Sequence, residues 1–206
     1  MPRTLIVAAT AAEIAPVEAA LRARRDIDVL VTGVGMVATA ARCSRRLAQG
    51  SYDFALNLGL CGSFDASLTP GVVVHIVSDR LSELGAEDGD AFVAIEALPL
   101  PSDHVVDNPS PPANVALGWL PKASAVTVNT VHGNAAAIAA LVARCRPQVE
   151  SMEGAAFMYA CRLAGVPYAQ VRAVSNVVER RNRAAWKVSE AIDALAAAAR
   201  AILQLA

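Results

Sequence analysis

The sequence predicts an α/β protein with a mixed, mostly parallel central sheet sandwiched by helices. Three observations predict it. Short apolar, often β-branched runs alternate with longer Ala-rich amphipathic ones along the whole chain. The short runs are apolar on both faces, as strands covered by helices on each side must be. Composition supplies the core: of 206 residues 55% are hydrophobic and 18% charged, which excludes a largely disordered chain. Because 44 residues are Ala and aromatics are only 4%, the apolar material is mostly small side chains, suited to close helix–sheet packing. The length fits one domain spanning 1–206.

The elements follow in order. Thr4–Ala9 is a buried strand and Glu13–Arg24 a helix, with Glu13 in its first turn where a carboxylate favours the helix dipole. Ile27–Thr32 is a strand that turns through TGVG into a helix over Met36–Gly50. Phe54–Gly59 and Val72–Ser78 are β-branched or apolar strand runs. Residues 99–112, PLPSDHVVDNPSPP, hold five of the eleven prolines and read as an irregular or mobile loop. Ala125–Thr130 is a strand, and Asn134–Arg144 a helix. A short strand ends at Glu153 and leads into a helix to Leu163; Tyr168–Ser175 is a strand and Ser189–Leu205 the closing helix.

Several classes of function are excluded. Lys plus Arg is 18 and Asp plus Glu 19, so the net charge is −1, and no basic stripe exists for nucleic acid or anionic lipid. No apolar run reaches the ~18 residues of a membrane span. Cys43, Cys61, Cys145 and Cys161 lie in apolar runs without CxxC spacing, and read as buried thiols of a reducing compartment. His75, His104 and His132 have no ligand-like spacing, so no metal is expected. The N-terminal apolar run is short and followed at once by Glu13, which favours a first strand over a signal peptide and a cytoplasmic protein.

In an open α/β sheet ligands sit at the carboxyl ends of strands. Those ends here are polar, small or Gly-containing: 10–13, 32–36, 59–63, 130–133, 152–153 and 175–179. Gly33 and Gly35 make a turn whose N–H groups can approach a ligand oxygen, although a plain tight turn explains them as well. Glu153, between Met152 and Gly154, follows a strand and needs a partner if buried. Arg172 stands inside the otherwise apolar VRAVSN (171–176), and must pair with a carboxylate or bind a ligand.

VRAVSN after ESMEGAA (150–156), an early strand ending in a Glu and a TGVG turn together resemble the nucleoside phosphorylase/nucleosidase superfamily. NLGLCGSF (57–64), DRLSELGAEDGDAF (79–92), VTVNTVHG (126–133) and SNVVERRNRAAWKV (175–188) bring the resemblance closest to the futalosine hydrolase family of its hydrolytic branch. The resemblance implies a purine nucleoside as partner, no cofactor and a homo-oligomer. It implies Glu13 as the base that activates water, Met152 and Glu153 on the ribose, and Arg172 with Ser175 beside the water. It places Val131 and His132 against the purine.

Asn176 is implied as the catalytic group at the leaving base. Adenine-specific relatives carry Asp there, whereas an Asn amide suits a 6-oxopurine, so hypoxanthine is the expected product. A turn Asn capping the strand end is the plain alternative. Leu60 stands where adenine-specific members carry Ser. Glu13 stands where a phosphorylase would hold phosphate, so water is the expected nucleophile. Arg183 with Trp186 is expected to hold a benzoate at the far end of futalosine. Alternatively that stretch closes over the purine side. An adenine-releasing nucleosidase and a silent nucleoside-binding protein are the competing readings.

Overall fold

A computed structural model gives the fold and describes residues 3–108 and 111–205. The chain opens with β1 (Thr4–Ala8), whose last four residues are buried. The helix expected over 13–24 is broken. α1 (Ala11–Ile14) gives way to a 3₁₀ turn at Ala15–Val17 and then α2 (Glu18–Arg22). Pro16 is the cause, since it has no N–H to donate within a helix. β2 (Ile27–Val31) and α3 (Met36–Gln49) follow, and α3 buries Thr39, Cys43 and Leu47, one face four residues apart.

Two strands run longer than expected, β3 (Phe54–Ser63) and β4 (Val73–Leu81). A hairpin of β5 (Gly85–Asp88) and β6 (Ala91–Ala94) then forms a separate two-stranded sheet. Its two-residue turn starts at Gly89, whose φ of +60° a side chain rarely adopts. The proline-rich stretch is not wholly irregular. Val105–Asp107 forms β7, antiparallel to Ser78–Arg80, because Val106 buries completely against the sheet. Residues 109–110 of that stretch lie outside the described residues.

α4 (Val115–Trp119), capped by the Asn114 side chain, precedes β8 (Lys122–Thr127), which begins and ends three residues before the expected strand. α5 (Ala135–Cys145) is capped by Asn134, which accepts from the N–H groups of Ala136 and Ala137. β9 (Val149–Ser151), α6 (Gly154–Ala164), β10 (Tyr168–Val177) and α7 (Val188–Leu203) complete the fold.

The main sheet runs β10-β4-β8-β9-β3-β1-β2, and β10 also pairs with β3, so five strands close into a ring. Most pairings are parallel; β10–β4, β3–β9 and β4–β7 are antiparallel. On one side α1, α2, α4 and α7 pack on β1, β3 and β10 around Ile6, Leu56, Leu58, Val171 and Leu195. On the other, α3 and α6 cover Leu5, Val7 and Ala55 with Phe157 and Met158. Central-sheet residues are thus apolar toward both layers, as expected of a sandwiched sheet.

β3 positions everything that follows. One edge pairs with β10 along nearly its whole length, from Ala55 to Ser63. Its other edge is split: β1 pairs with Phe54–Asn57, and β9 with Gly62 and Ser63. Between these pairings residues 58–61 have no strand beside them on that edge. Glu13, just past the carboxyl end of β1, comes against this bare segment.

Candidate active site

The bare segment of β3 touches the candidate residues in sequence order. At its start, Gly59 faces Arg172. A Cβ at Gly59 would collide with Arg172 Nη1 and lie 3.1 Å from Glu13 Oε1. Only glycine lets the guanidinium and the carboxylate converge there. At the next residue, the Leu60 N–H donates to Glu13 Oε1 at 3.2 Å. The other Glu13 oxygen accepts from the Thr10 N–H at 2.8 Å and the Thr10 hydroxyl at 3.2 Å. Glu13 is therefore a first-turn carboxylate of α1, as its position suggests, and its second oxygen is turned to the bare segment of β3.

Arg172 is completely buried. Its Nε donates to Gln170 Oε1 at 3.0 Å and its Nη2 to Asn57 Oδ1 at 2.5 Å. Asn57 is fixed in turn by donating to the Val7 carbonyl at 3.0 Å. Either a carboxylate or a ligand was expected beside Arg172; among the described residues its hydrogen bonds go to amide oxygens, the Glu13 carboxylate lies near it across Gly59 without bonding to it, and Nη1 has no hydrogen-bond partner. The buried guanidinium thus keeps one nitrogen without a hydrogen-bond partner, packed against Gly59 next to Glu13.

Behind it lies Asp79, also fully buried, which accepts from Gln170 Nε2 at 3.0 Å and Thr127 Oγ1 at 2.9 Å. Burial pushes its carboxyl up to about 6, against the pull of those two hydrogen bonds and of Arg172. Thr127 Oγ1 also accepts from the Ala155 N–H at the start of α6.

Glu153, the residue before α6, is 6% exposed, and its Oε1 accepts from the Gly35 N–H at 2.9 Å. The TGVG turn thus presents its N–H to a protein carboxylate rather than to a ligand oxygen. Gly35 has φ +100°, a conformation that suits glycine and points that N–H inward. Met152, beside it, is half-buried.

Further along β3, the Cys61 carbonyl accepts from Ser175 Oγ at 3.2 Å, and that hydroxyl also lies 2.8 Å from Asn176 Oδ1. The β10–β3 register shifts between Val174 and Asn176, a bulge at Ser175 that re-aims the Asn176 side chain. Gly62 then forms part of a cavity of about 80 Å³ lined also by Asn176, Val131, His132, Glu150, Arg181 and Trp186. Asn176 Nδ2 donates to the Val177 carbonyl at 2.9 Å.

The structure brings Asn176, Val131, His132 and Trp186 to one cavity, and Glu13 and Arg172 to Gly59, with Glu153 tied to the TGVG turn. Arg183 is not brought to the cavity. It is exposed in a 3₁₀ turn at Arg183–Ala185, and it is Arg181 whose guanidinium lies 5.8 Å from the Trp186 ring. Glu150 was not singled out from the sequence, although it stands in the quoted ESMEGAA. Among the described residues no group of three or more His, Cys, Asp or Glu is placed to hold a metal, and no helix is long and apolar enough to cross a membrane.

A family model of the phosphorylase superfamily matches residues 21–206. The futalosine hydrolase of Thermus thermophilus is 32% identical over 179 residues, covering 84% of this chain and 80% of its own. That of Streptomyces coelicolor is 33% identical over 176 residues, covering 82% and 74%. Among solved structures, the futalosine hydrolase of Helicobacter pylori shares the fold with a TM-score of 0.83 at 14% identity, over 98% of this chain and 97% of that one.

Proposed function

The chain belongs to the phosphorylase superfamily, and on that premise we propose that it hydrolyses the N-glycosidic bond of futalosine, with hypoxanthine as the released base, on a route to menaquinone. Its relatives make it an N-glycosyl hydrolase. The observation that carries the residue assignment is the convergence of Glu13 and the unpartnered Arg172 Nη1 at Gly59. Arg172 and the Leu60 N–H fix the geometry, and Glu13 takes the proton of a water placed between them. The water oxygen bonds to C1′ as the C1′–N9 bond breaks. The base departs with that electron pair and takes up a proton from solvent, Glu13 returning the proton of the attacking water to solvent afterwards, and positive charge builds on the ribose meanwhile. Glu153, already oriented by Gly35, holds the ribose hydroxyls and offers negative charge to that sugar.

Asn176 meets the leaving base, and Val131 and His132 border it. A phosphate dianion in place of water would face the Glu13 carboxylate, which favours hydrolysis over phosphorolysis. Arg181 and Trp186 share a cavity with Asn176, so the stretch 179–186 serves closure over the base, with the benzoate carboxylate held elsewhere. Work in a homo-oligomer fits the exposed Val34 and Val37 beside the TGVG turn. The test is chromatography of the base released from futalosine and from methylthioadenosine, with and without phosphate. Hypoxanthine from futalosine without phosphate is expected. Adenine from methylthioadenosine alone, or a phosphate requirement, overturns the reading.

A further inference from the structure

Two buried acids among the described residues, Asp79 and Glu150, take no part in the proposed hydrolysis, and of these only Glu150 borders a cavity. Glu150, on β9, is 3% exposed and lines the same cavity as Asn176. Its carboxylate is gripped on one side by His132: the backbone N–H donates to Oε1 at 3.0 Å, and ring Nδ1 lies 2.7 Å from Oε2. The ring is itself steadied edge-on against Phe64, with centroids 6.3 Å apart. Each carboxylate oxygen has a second lone pair, so neither is saturated by this grip. A carboxylate that merely braced the 130–133 loop would gain nothing from bordering a cavity, where burial penalises its charge. Burial does push this carboxyl up, and His132 pulls it back toward ionisation.

The position of Glu150 relative to Asn176 gives it a use. Gly62 pairs with Glu150 across β3 and β9, and with Asn176 across β3 and β10. A Cβ at Gly62 would lie 3.2 Å from Asn176 Nδ2 and 3.7 Å from Glu150 Cγ. An amide donor and a carboxylate acceptor therefore flank one glycine on the floor of one cavity. A 6-oxopurine carries, side by side, O6 as acceptor and N1–H as donor. A 6-aminopurine carries the reverse, an amino donor and N1 as acceptor. The floor complements the first and opposes the second with a negative charge against N1.

We propose that Glu150, held by His132, accepts the N1–H of a 6-oxopurine base, so that selection against 6-aminopurines belongs to the Glu150–Asn176 pair rather than to Asn176 alone. This rests on the reading of the cavity as the base site. His132 is then a positioning residue, and Glu150 a specificity-determining one.

Calorimetry of free bases on the intact protein tests it. Hypoxanthine is expected to bind the wild type more tightly than 1-methylhypoxanthine or adenine, by roughly 10- to 100-fold. Glu150→Gln keeps the shape and, through a change of His132 tautomer, the brace on the loop. It is expected to weaken hypoxanthine at least tenfold while leaving adenine unchanged or tighter. Equal loss for both bases, or equal binding of hypoxanthine and its 1-methyl derivative to the wild type, overturns the proposal; the latter comparison needs no variant. A wild type that cleaves no futalosine yet binds hypoxanthine through Glu150 sinks the activity assigned above and leaves this inference standing.

Discussion

Glu13 carries two jobs on two oxygens. One closes a capping box with Thr10 and the other faces the bare segment of β3 at Leu60 and Gly59. Glu13→Gln separates them: its one amide oxygen still accepts from the Thr10 N–H, and the amide nitrogen that replaces the other oxygen can neither take a proton nor accept from the Leu60 N–H. The variant should keep its melting temperature within a few degrees and bind futalosine, yet lose roughly 100- to 10,000-fold in kcat. A near-wild-type rate would leave Glu13 a cap and nothing more. Glu13, Glu153 and Arg172 were legible in the sequence for one reason: a charged residue within or at the end of an apolar strand is conspicuous. Glu150 was not, because which face of a three-residue strand it shows depends on β3 crossing beneath it, a contact 88 residues away between Gly62 and Glu150. The need for glycine at 59 was hidden for the same reason; the guanidinium that demands it comes from β10.

At the level of elements, β4, β8 and β10 meet in a buried polar chain from Thr127 through Asp79 and Gln170 to Arg172. Asp79 in the folded state holds its proton up to about pH 6, against about 4 in an unfolded chain. The native state thus binds the proton more tightly, and the contribution of this group to stability falls as pH rises from about 4 to about 6, then levels off. Thermal melts of wild type and Asp79→Asn across pH 4.5 to 8 should diverge through that window, the wild type losing roughly 2–3 kcal/mol relative to the variant. Parallel curves would show that Asp79 is ionised throughout.

The 179–186 stretch makes a second prediction. Arg181→Ala should slow futalosine and inosine alike by about tenfold, since Arg181 borders the shared base cavity. Arg183→Ala should slow neither; a loss confined to futalosine would return the benzoate to Arg183. Elements themselves were mostly legible, but the hairpin at 85–94 was not. GAEDGDAFVA is polar and Gly-containing, exposed along β5, and has no core face for a periodicity to reveal. The extension of β3 to Ser63 was missed because tertiary pairing, not local preference, sets where that strand stops, whereas the helix break at Pro16 is local and the proline itself was its signal.

Across the whole molecule, packing encloses three of the four thiols, Cys43 and Cys161 in the layer under α3 and α6 and Cys61 in a separate cluster with Val74 and Val174. Cys43 and Cys61 are pushed up to about 12 by burial, and Cys161 is pushed up as well, whereas Cys145 is only half-buried. Buried thiols held protonated neither ionise nor meet reagent until the structure opens. A disulfide reagent at pH 8 should therefore titrate one thiol per native chain, and four in urea. Rapid reaction of more than one would mean that a layer opens on its own. The alternation of strands and helices was enough to predict these layers, because a sheet covered on both sides needs apolar residues on both sides. The closure of the ring was not, since no local pattern announces that β10 will lie between β3 and β4.

That arrangement also sets a timetable. β3 is synthesised as residues 54–63, and its partner β10 more than a hundred residues later. Until β10 arrives, β3 waits with an open hydrogen-bonding edge, and Arg172, Ser175 and Asn176, which β10 itself carries, are still missing. The helices made in between cannot reward this pairing in advance, because the large loop it closes must lose its entropy first. Folding should be slow for a chain of this size, and an unfinished chain on the ribosome should present a sticky strand edge that invites association with its neighbours. Arg172 meets Glu13 at Gly59 only at the end of that wait, in the same event that removes the hazard.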